Sequence, residues 1–217
     1  MTETIGATEI VRAIEAACAR IIEQRDYLTE LDAAMGDGDL GINMAKGAVA
    51  LQAHLAGNAP GDDLGKFIAG AGMVFNRAAP STMGTLLATA LMRAGKEVRG
   101  MAELDGPAIA GMLRAAAQGM MERGKAEPGD KTILDALLPA IDAFAASVDA
   151  GETLADAGAA MLDAARAGRD AAIPLQSKRG RAGWVGERTI GKPDPGTVLF
   201  VQMLEAVLGA EPGAPAV

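Results

Sequence analysis

Apolar residues recur at intervals of three and four along almost the whole chain, the spacing of an amphipathic helix. Ile10, Ile14, Ala17, Ile21 and Leu28 predict a helix over 5–28, and Ile42, Met44, Ala45, Val49 and Leu51 predict one over 41–54. Turn residues punctuate the pattern. Asn58-Ala59-Pro60-Gly61 is a turn, and Asp62 is the expected cap of a helix running to about 77. Ala79-Pro80-Ser81-Thr82 interrupts it, and helices over 83–96 and 105–123 follow. After the turn Glu127-Pro128-Gly129-Asp130, either Asp130 or Thr132 caps a helix to about 148. Thr153, with Asp156 in capping-box position, opens a helix to about 173. Residues 177–192 are basic and glycine-rich and read as a loop. Asp194 followed by Pro195 at the first helical position opens a last helix to about 208. Residues 209–217 are an expected disordered tail. No segment reads as a strand. The pattern therefore predicts an all-α fold of eight helices, with short connections that favour antiparallel, up-and-down neighbours in one domain over 1–217.

Composition sharpens this picture. Half of the 217 residues are hydrophobic but only 3% are aromatic, and there are 28 glycines, so the core is one of small, closely approaching helices. A net charge of −8 argues against nucleic acid, whose phosphates need a basic face. No apolar run is long enough for a bilayer, and the N-terminus lacks a basic-then-apolar leader, so a cytoplasmic protein without membrane partners is expected. The single cysteine, Cys18, sits in an alanine-rich helical run, where a buried inert thiol is expected.

The chemistry concentrates between residues 31 and 44. Asp32, Asp37 and Asp39 put three carboxylates within eight residues, a repulsive arrangement that a cation relieves. Carboxylates are hard ligands, which favours Mg²⁺ over zinc. An EF-hand calcium loop fails here, because its fifth and twelfth positions would be Gly41 and Ala48. If the loop is extended, Asp37 and Asp39 point the same way. Gly36, Gly38 and Gly41 allow positive φ and close ligand approach. In an up-and-down arrangement, connections 29–40, 79–82, 127–132 and 177–194 all lie at one end, and each leads into a helix N-terminus, where anions are favoured. Ser81, Thr82 and Thr85 there suit simple capping and phosphate contact equally. Lys178, Arg179, Arg181 and Arg188 give the 178–188 loop four cations, a polyphosphate contact or a merely solvated loop. Trp184 could stack on a base, though packing against helix ends is the commoner role. His54 is expected to be exposed and without a catalytic part. Together these features point to a Mg²⁺–nucleotide polyphosphate site that is neither a P-loop nor a Rossmann site, since neither glycine motif is present.

The motifs resemble those of a known family, the nucleotide-binding L subunit of dihydroxyacetone kinase (the DhaL or DAK2 type). The resemblance rests on Leu31-Asp32, Gly36-Asp37-Gly38-Asp39, Gly41-Ile42-Asn43-Met44, the run 123–132 containing Gly129-Asp130-Lys131-Thr132, and the run 178–196 containing Gly186-Glu187-Arg188-Thr189 and Asp194-Pro195-Gly196. It implies a barrel of eight antiparallel helices with the nucleotide at one end. It implies that Asp32, Asp37 and Asp39 hold two Mg²⁺ ions bridging to the phosphates of ADP or ATP. It further implies nucleotide contacts at Leu40, Gly41, Ile42, Asn43, Ser81, Thr82, Arg181, Asp194, Pro195 and Gly196, with Gly119 and Thr132 or Ile133 toward the adenine. The activity implied is phosphoryl transfer to a small ketose held by a separate K-type subunit. A phosphotransferase-system M-type subunit and a homodimer are further partners it leaves open. Two departures set this chain apart. Leu40 stands where the family has histidine, and the segment 76–85 is shorter than the family's glycine-serine phosphate loop, so phosphate grip or substrate is expected to differ. The alternatives are a non-catalytic nucleotide-binding interaction module, and a kinase or phosphatase for another hydroxylated substrate.

Overall fold

The computed structural model describes residues 3–215. A two-residue strand β1 (Thr4–Ile5) precedes helices α1 (Ala7–Glu23), α2 (Arg25–Ala33), α3 (Leu40–Leu55), α4 (Leu64–Ala78) and α5 (Thr82–Glu97). Strand β2 (Leu104–Asp105) follows, then α6 (Gly106–Gly124), α7 (Leu134–Asp149), α8 (Leu154–Ala171), the short α9 (Ala182–Val185), a 3-10 turn (Gly186–Thr189) and α10 (Pro195–Leu208). The fold is all-α. Its only strands among the described residues are β1 and β2, which pair antiparallel with Thr4 opposite Asp105 and Ile5 opposite Leu104.

Among the described residues eight helices have 14 residues or more. Each packs on the next long helix of the chain, α8 on α10 past the short α9, and α10 also packs on α1. The contacts thus close a ring. Its interior is apolar. Leu28, Met44, Phe75 and Leu199 form one buried cluster, and Phe144, Leu162 and Val201 belong to another. Small residues set the helix spacing, as the glycine content suggests. A Cβ on Gly65 would run into the Gly95 carbonyl, and one on Gly95 into that of Gly65, so α4 and α5 touch backbone to backbone there. Cys18 is buried, and burial pushes its thiol up to about 11, which keeps it protonated and inert.

The caps differ from the expected ones by small shifts in register. Asp63, not Asp62, caps α4, accepting the Lys66 and Gly100 amides at 2.8 and 2.9 Å. At the start of α7 the expected Thr132 does act as a cap: its hydroxyl accepts the Leu134 amide at 3.3 Å, and Asp135 reaches back to accept the amides of Thr132 and Gly129 at 2.7 and 2.5 Å. Asp130 accepts the Glu127 amide instead. Thr153 and Asp194 cap α8 and α10 as expected. The predicted helix over 5–28 is two helices, broken at Gln24, whose backbone leaves the helical region at φ −91° and ψ 9°. The apolar spacing runs through this break, so periodicity did not reveal it. At the C-terminal end, residues 216 and 217 of the expected disordered tail lie outside the described residues. Before them, Arg166 donates to the Glu211 carbonyl, Arg169 to those of Gly213 and Ala214, and the Gly213 amide to Glu205. These bonds tie residues 211–214 to α8 and α10. Among the described residues no helix is long and apolar enough to cross a membrane.

Candidate functional site

The N-termini of α3, α5, α7 and α10 meet around one cavity of about 930 Å³. Its wall takes residues from all four connections that alternation places at one end: Asp32, Asp37 and Asp39; Ser81 and Thr82; Lys131 and Thr132; and Arg179, Arg181 and Asp194. Four helix N-termini facing one space make it suited to an anion.

The acidic cluster is built by a turn rather than by an extended strand. Asp32 lies in the last turn of α2, and Asp39 is the residue before α3. Gly38 between the acids takes φ 72°, a conformation costly for any side chain. This fold-back lets Asp32 Oδ2 accept the amides of Asp39 and Leu40 at 2.9 and 3.1 Å, so the positive end of α3 fixes the first acid. One carboxylate oxygen from each of Asp32, Asp37 and Asp39 then lies within 4.8 Å of the others. An all-oxygen set of this kind fits a hard divalent cation such as Mg²⁺. Arg181, from the loop between α8 and α10, forms an ion pair with Asp37.

The remaining sequence-predicted residues divide into two groups. Leu40, Ser81, Thr82, Thr132, Ile133, Arg181, Asp194, Pro195 and Gly196 line the cavity with the acids. Ser81 is also the cap of α5, accepting the Gly84 amide at 3.1 Å. Gly41, Ile42, Asn43 and Gly119 are not in the wall. A Cβ on Gly41 would collide with the Arg25 carbonyl and the Thr29 hydroxyl, so Gly41 sets the α2–α3 contact. Gly119 faces the Arg93 side chain in the same way. Asn43 donates its amide to the Asp39 carbonyl at 3.0 Å, steadying the acid from behind, and Ile42 is 43% exposed. His54 is half-buried, with the Asn58 amide nitrogen 3.3 Å from its ring, away from the cavity. Trp184 does not pack against helix ends: it is 89% exposed.

Arg179, one of the four cations read in the 178–188 loop, is in the wall, and sequence reasoning left out two further cations there, Arg123 and Lys131. Both fall in the motif 123–132, and that was their available signal. Leu86, Met120, Ile133 and Leu134 give the same cavity an apolar side.

The DAK2 domain family matches residues 34–209. Two curated relatives cover nearly the same length. One is the ADP-binding subunit DhaL of the PEP-dependent dihydroxyacetone kinase of Escherichia coli (strain K12), 30% identical over 96% of this chain and 100% of its own. The other is the ADP-binding subunit DhaL of the PEP-dependent dihydroxyacetone kinase 2 of Listeria innocua, 35% identical over 88% of each chain. The chain belongs to the DAK2 domain family. A crystal structure of the dihydroxyacetone kinase from C. freundii in complex with AMP-PNP and Mg²⁺ shares the fold, with a TM-score of 0.74 at 22% identity. That match covers 97% of this DAK2 chain and 35% of the longer kinase.

Two buried acids of this DAK2 domain titrate in opposite directions. Burial pushes the Asp130 carboxyl up, but hydrogen bonds from Arg179 and from the Glu127 amide outweigh it, and its pKa lies below the usual range. Asp194 is raised to about 7, first by burial and then by the nearby Asp135 carboxylate, against the hydrogen bond from the Thr197 amide and the charge of Lys131. Between the unfolded pKa of about 4 and the folded pKa, the native state holds a proton on Asp194 that the unfolded chain has lost. Stability from this group is therefore complete below pH ~4 and falls as pH rises to ~7, by up to ~1.4 kcal/mol per pH unit. Asp194→Asn keeps a capping side chain and removes that slope. Urea unfolding from pH 4 to 8 is expected to fall less steeply with pH for the variant than for the parent, and parallel curves would contradict the assignment.

Proposed function

We propose that this chain is the nucleotide-binding subunit of a dihydroxyacetone-type kinase, a phosphotransferase that works with a separate K-type subunit holding a small ketose. The observation that carries the reading is the convergence of Asp32, Asp37 and Asp39 on the wall of a cavity faced by four helix N-termini. The names of the full-length relatives, both ADP-binding subunits, support it.

In this reading the three aspartates hold Mg²⁺, with two ions expected, and the whole chain acts as one nucleotide-binding domain. A divalent ion bound there offsets phosphate charge and aligns the terminal phosphoryl group. The chain's own groups do the rest. The first turn of α5, with Thr82 and Thr85, offers hydroxyl and amide donors to phosphate oxygens. Arg181 and Arg123 add positive charge at the mouth. The apolar side formed by Leu86, Met120 and Leu134 suits a purine base, and the Asp194-Pro195-Gly196 turn borders the same space. Leu40, in place of a polar residue beside the acids, leaves the phosphate grip to the metal and to α5. His54 stands apart from the cavity, so this chain supplies no histidine to an acceptor sugar. That supports a partner subunit as the substrate holder. The phosphoryl donor is ATP itself or a relay to bound ADP.

Calorimetric titration with ADP tests the reading. Binding is expected with Mg²⁺ and is expected to weaken at least tenfold when EDTA removes the ion. Equal affinity in both conditions would overturn it. Phosphoryl transfer to dihydroxyacetone in the presence of a K-type subunit is the second expected result. Mg²⁺-dependent ADP binding without transfer to any ketose would favour the non-catalytic module.

A further inference from the structure

Lys131 lines the cavity with its side chain almost wholly buried, at 2% exposure. A buried cation beside an anion site looks like a phosphate ligand. Its hydrogen bonds say otherwise. An ammonium group has three donors and no more. Those of Lys131 go to the carbonyls of Ile173, Leu175 and Thr189 at 2.9, 2.9 and 2.6 Å. All three acceptors lie at the two roots of the loop 173–191. The same roots are joined by the Gly191 amide on the Ile173 carbonyl (2.9 Å) and the Ser177 amide on Thr189 Oγ1 (3.0 Å).

The neighbouring residue grips the loop's outgoing arm. The Asp130 carbonyl accepts the Lys178 amide at 3.0 Å, and its carboxylate accepts Arg179 Nε at 2.6 Å. Lys131 makes both grips available by taking φ 58°, a left-handed conformation that a side chain adopts only where its surroundings enforce it. Two residues beyond Arg179, Arg181 reaches the acidic cluster and pairs with Asp37.

We propose that Lys131 is a positioning residue for the nucleotide site, one that staples the roots of the 173–191 loop so that Arg181 is delivered to the acidic cluster, and that it does not bind phosphate. This rests on the nucleotide reading given above. The pairing of Lys131 with backbone acceptors makes its contribution independent of the ligand's charge and dependent on Arg181.

A double-mutant cycle separates the two roles. Mg²⁺–ADP affinity is measured by calorimetry for the full chain and for Lys131→Met, Arg181→Ala and the double variant, with circular dichroism confirming the fold of each. Lys131→Met is expected to weaken binding roughly tenfold, and to cost little once Arg181 is gone. Thr189→Val, at a residue buried outside the cavity wall, is expected to reproduce part of the loss. The anisotropy of Trp184, the chain's one tryptophan, reports the loop directly in ligand-free protein. It is expected to fall in Lys131→Met and in Thr189→Val. A full Lys131→Met loss in the Arg181→Ala background would make Lys131 a direct ligand and overturn the proposal. Unchanged anisotropy in both variants would overturn it as well, and so would an unchanged affinity in Lys131→Met. If Lys131→Met does not fold, Lys131→Gln is put through the same cycle and decides on the same readouts, since Thr189→Val leaves the carbonyl that Lys131 bonds in place and removes only the hydroxyl tie to Ser177. Should the parent protein fail to bind Mg²⁺–ADP, the nucleotide reading falls, while the anisotropy still tests the staple.

Discussion

Asp37→Asn is expected to cut Mg²⁺–ADP affinity by a hundredfold or more, about 2.7 kcal/mol. Loss of a partner that merely supports a metal ligand costs roughly 10–100-fold, and Asp37 is proposed as a ligand itself. The substitution is isosteric, and among the described residues Asp37 pairs with the exposed Arg181. Asp32 is a less informative target, because its carboxylate also holds the Asp39 and Leu40 amides and so builds the turn. The sign of the metal-free control is diagnostic. Removing one negative charge from the cluster lowers its repulsion toward phosphate, so in EDTA the variant should bind ADP as well as the parent or better. Calorimetry with and without Mg²⁺ checks both halves. A variant that keeps the parent's Mg²⁺-dependent affinity would remove Asp37 from the metal site.

Gly41→Ala is expected to be the most destabilising single methyl in the chain's first third. The added Cβ would collide with the Arg25 carbonyl and sit 2.7 Å from the Thr29 amide nitrogen, so backbone would have to move. Overpacking of this kind costs typically 1–3 kcal/mol, and the upper end is expected where the obstacle is main chain. For a domain of this size, ~3 kcal/mol lowers Tm by roughly 6–12 °C, which a thermal melt followed by circular dichroism measures. The same shift separates α2, which carries Asp32, from α3, which carries the amides that hold it. ADP binding should therefore weaken even well below Tm. A melt within 2 °C of the parent would show that α2 yields freely.

These two residues also show what could be read in advance. Asp32, Asp37 and Asp39 were legible as a cluster because three carboxylates in so short a span are costly without a cation. The means of their convergence was not legible. Alternation along an extended loop put only Asp37 and Asp39 on one side, whereas Gly38 at positive φ and the bonds from the Asp39 and Leu40 amides to Asp32 bring all three together. Gly41 was read as a residue of close ligand approach. Its actual neighbour is another helix, and a glycine's spacing in sequence cannot tell one from the other. The gathering of four connections at one end followed from short links between long helices, since alternation leaves no other arrangement. Lys131 was hidden for the opposite reason. Its acceptors lie 42, 44 and 58 residues downstream, and no local pattern encodes them. Trp184 was expected to pack and is 89% exposed, because the bonds that hold its loop are made by Arg179, Arg181 and the loop's roots and none of them covers the indole.

The closure of the helix ring by α10 has a consequence for how the molecule comes into being. That helix seals the circle against α1 and brings Asp194, Pro195 and Gly196 to the cavity. A nascent chain emerging from the ribosome therefore carries Asp32, Asp37 and Asp39 early, yet has no finished cavity until α10 is out. Closure of the ring and completion of the cavity wall arrive together, and a polypeptide cut short before α10 has neither.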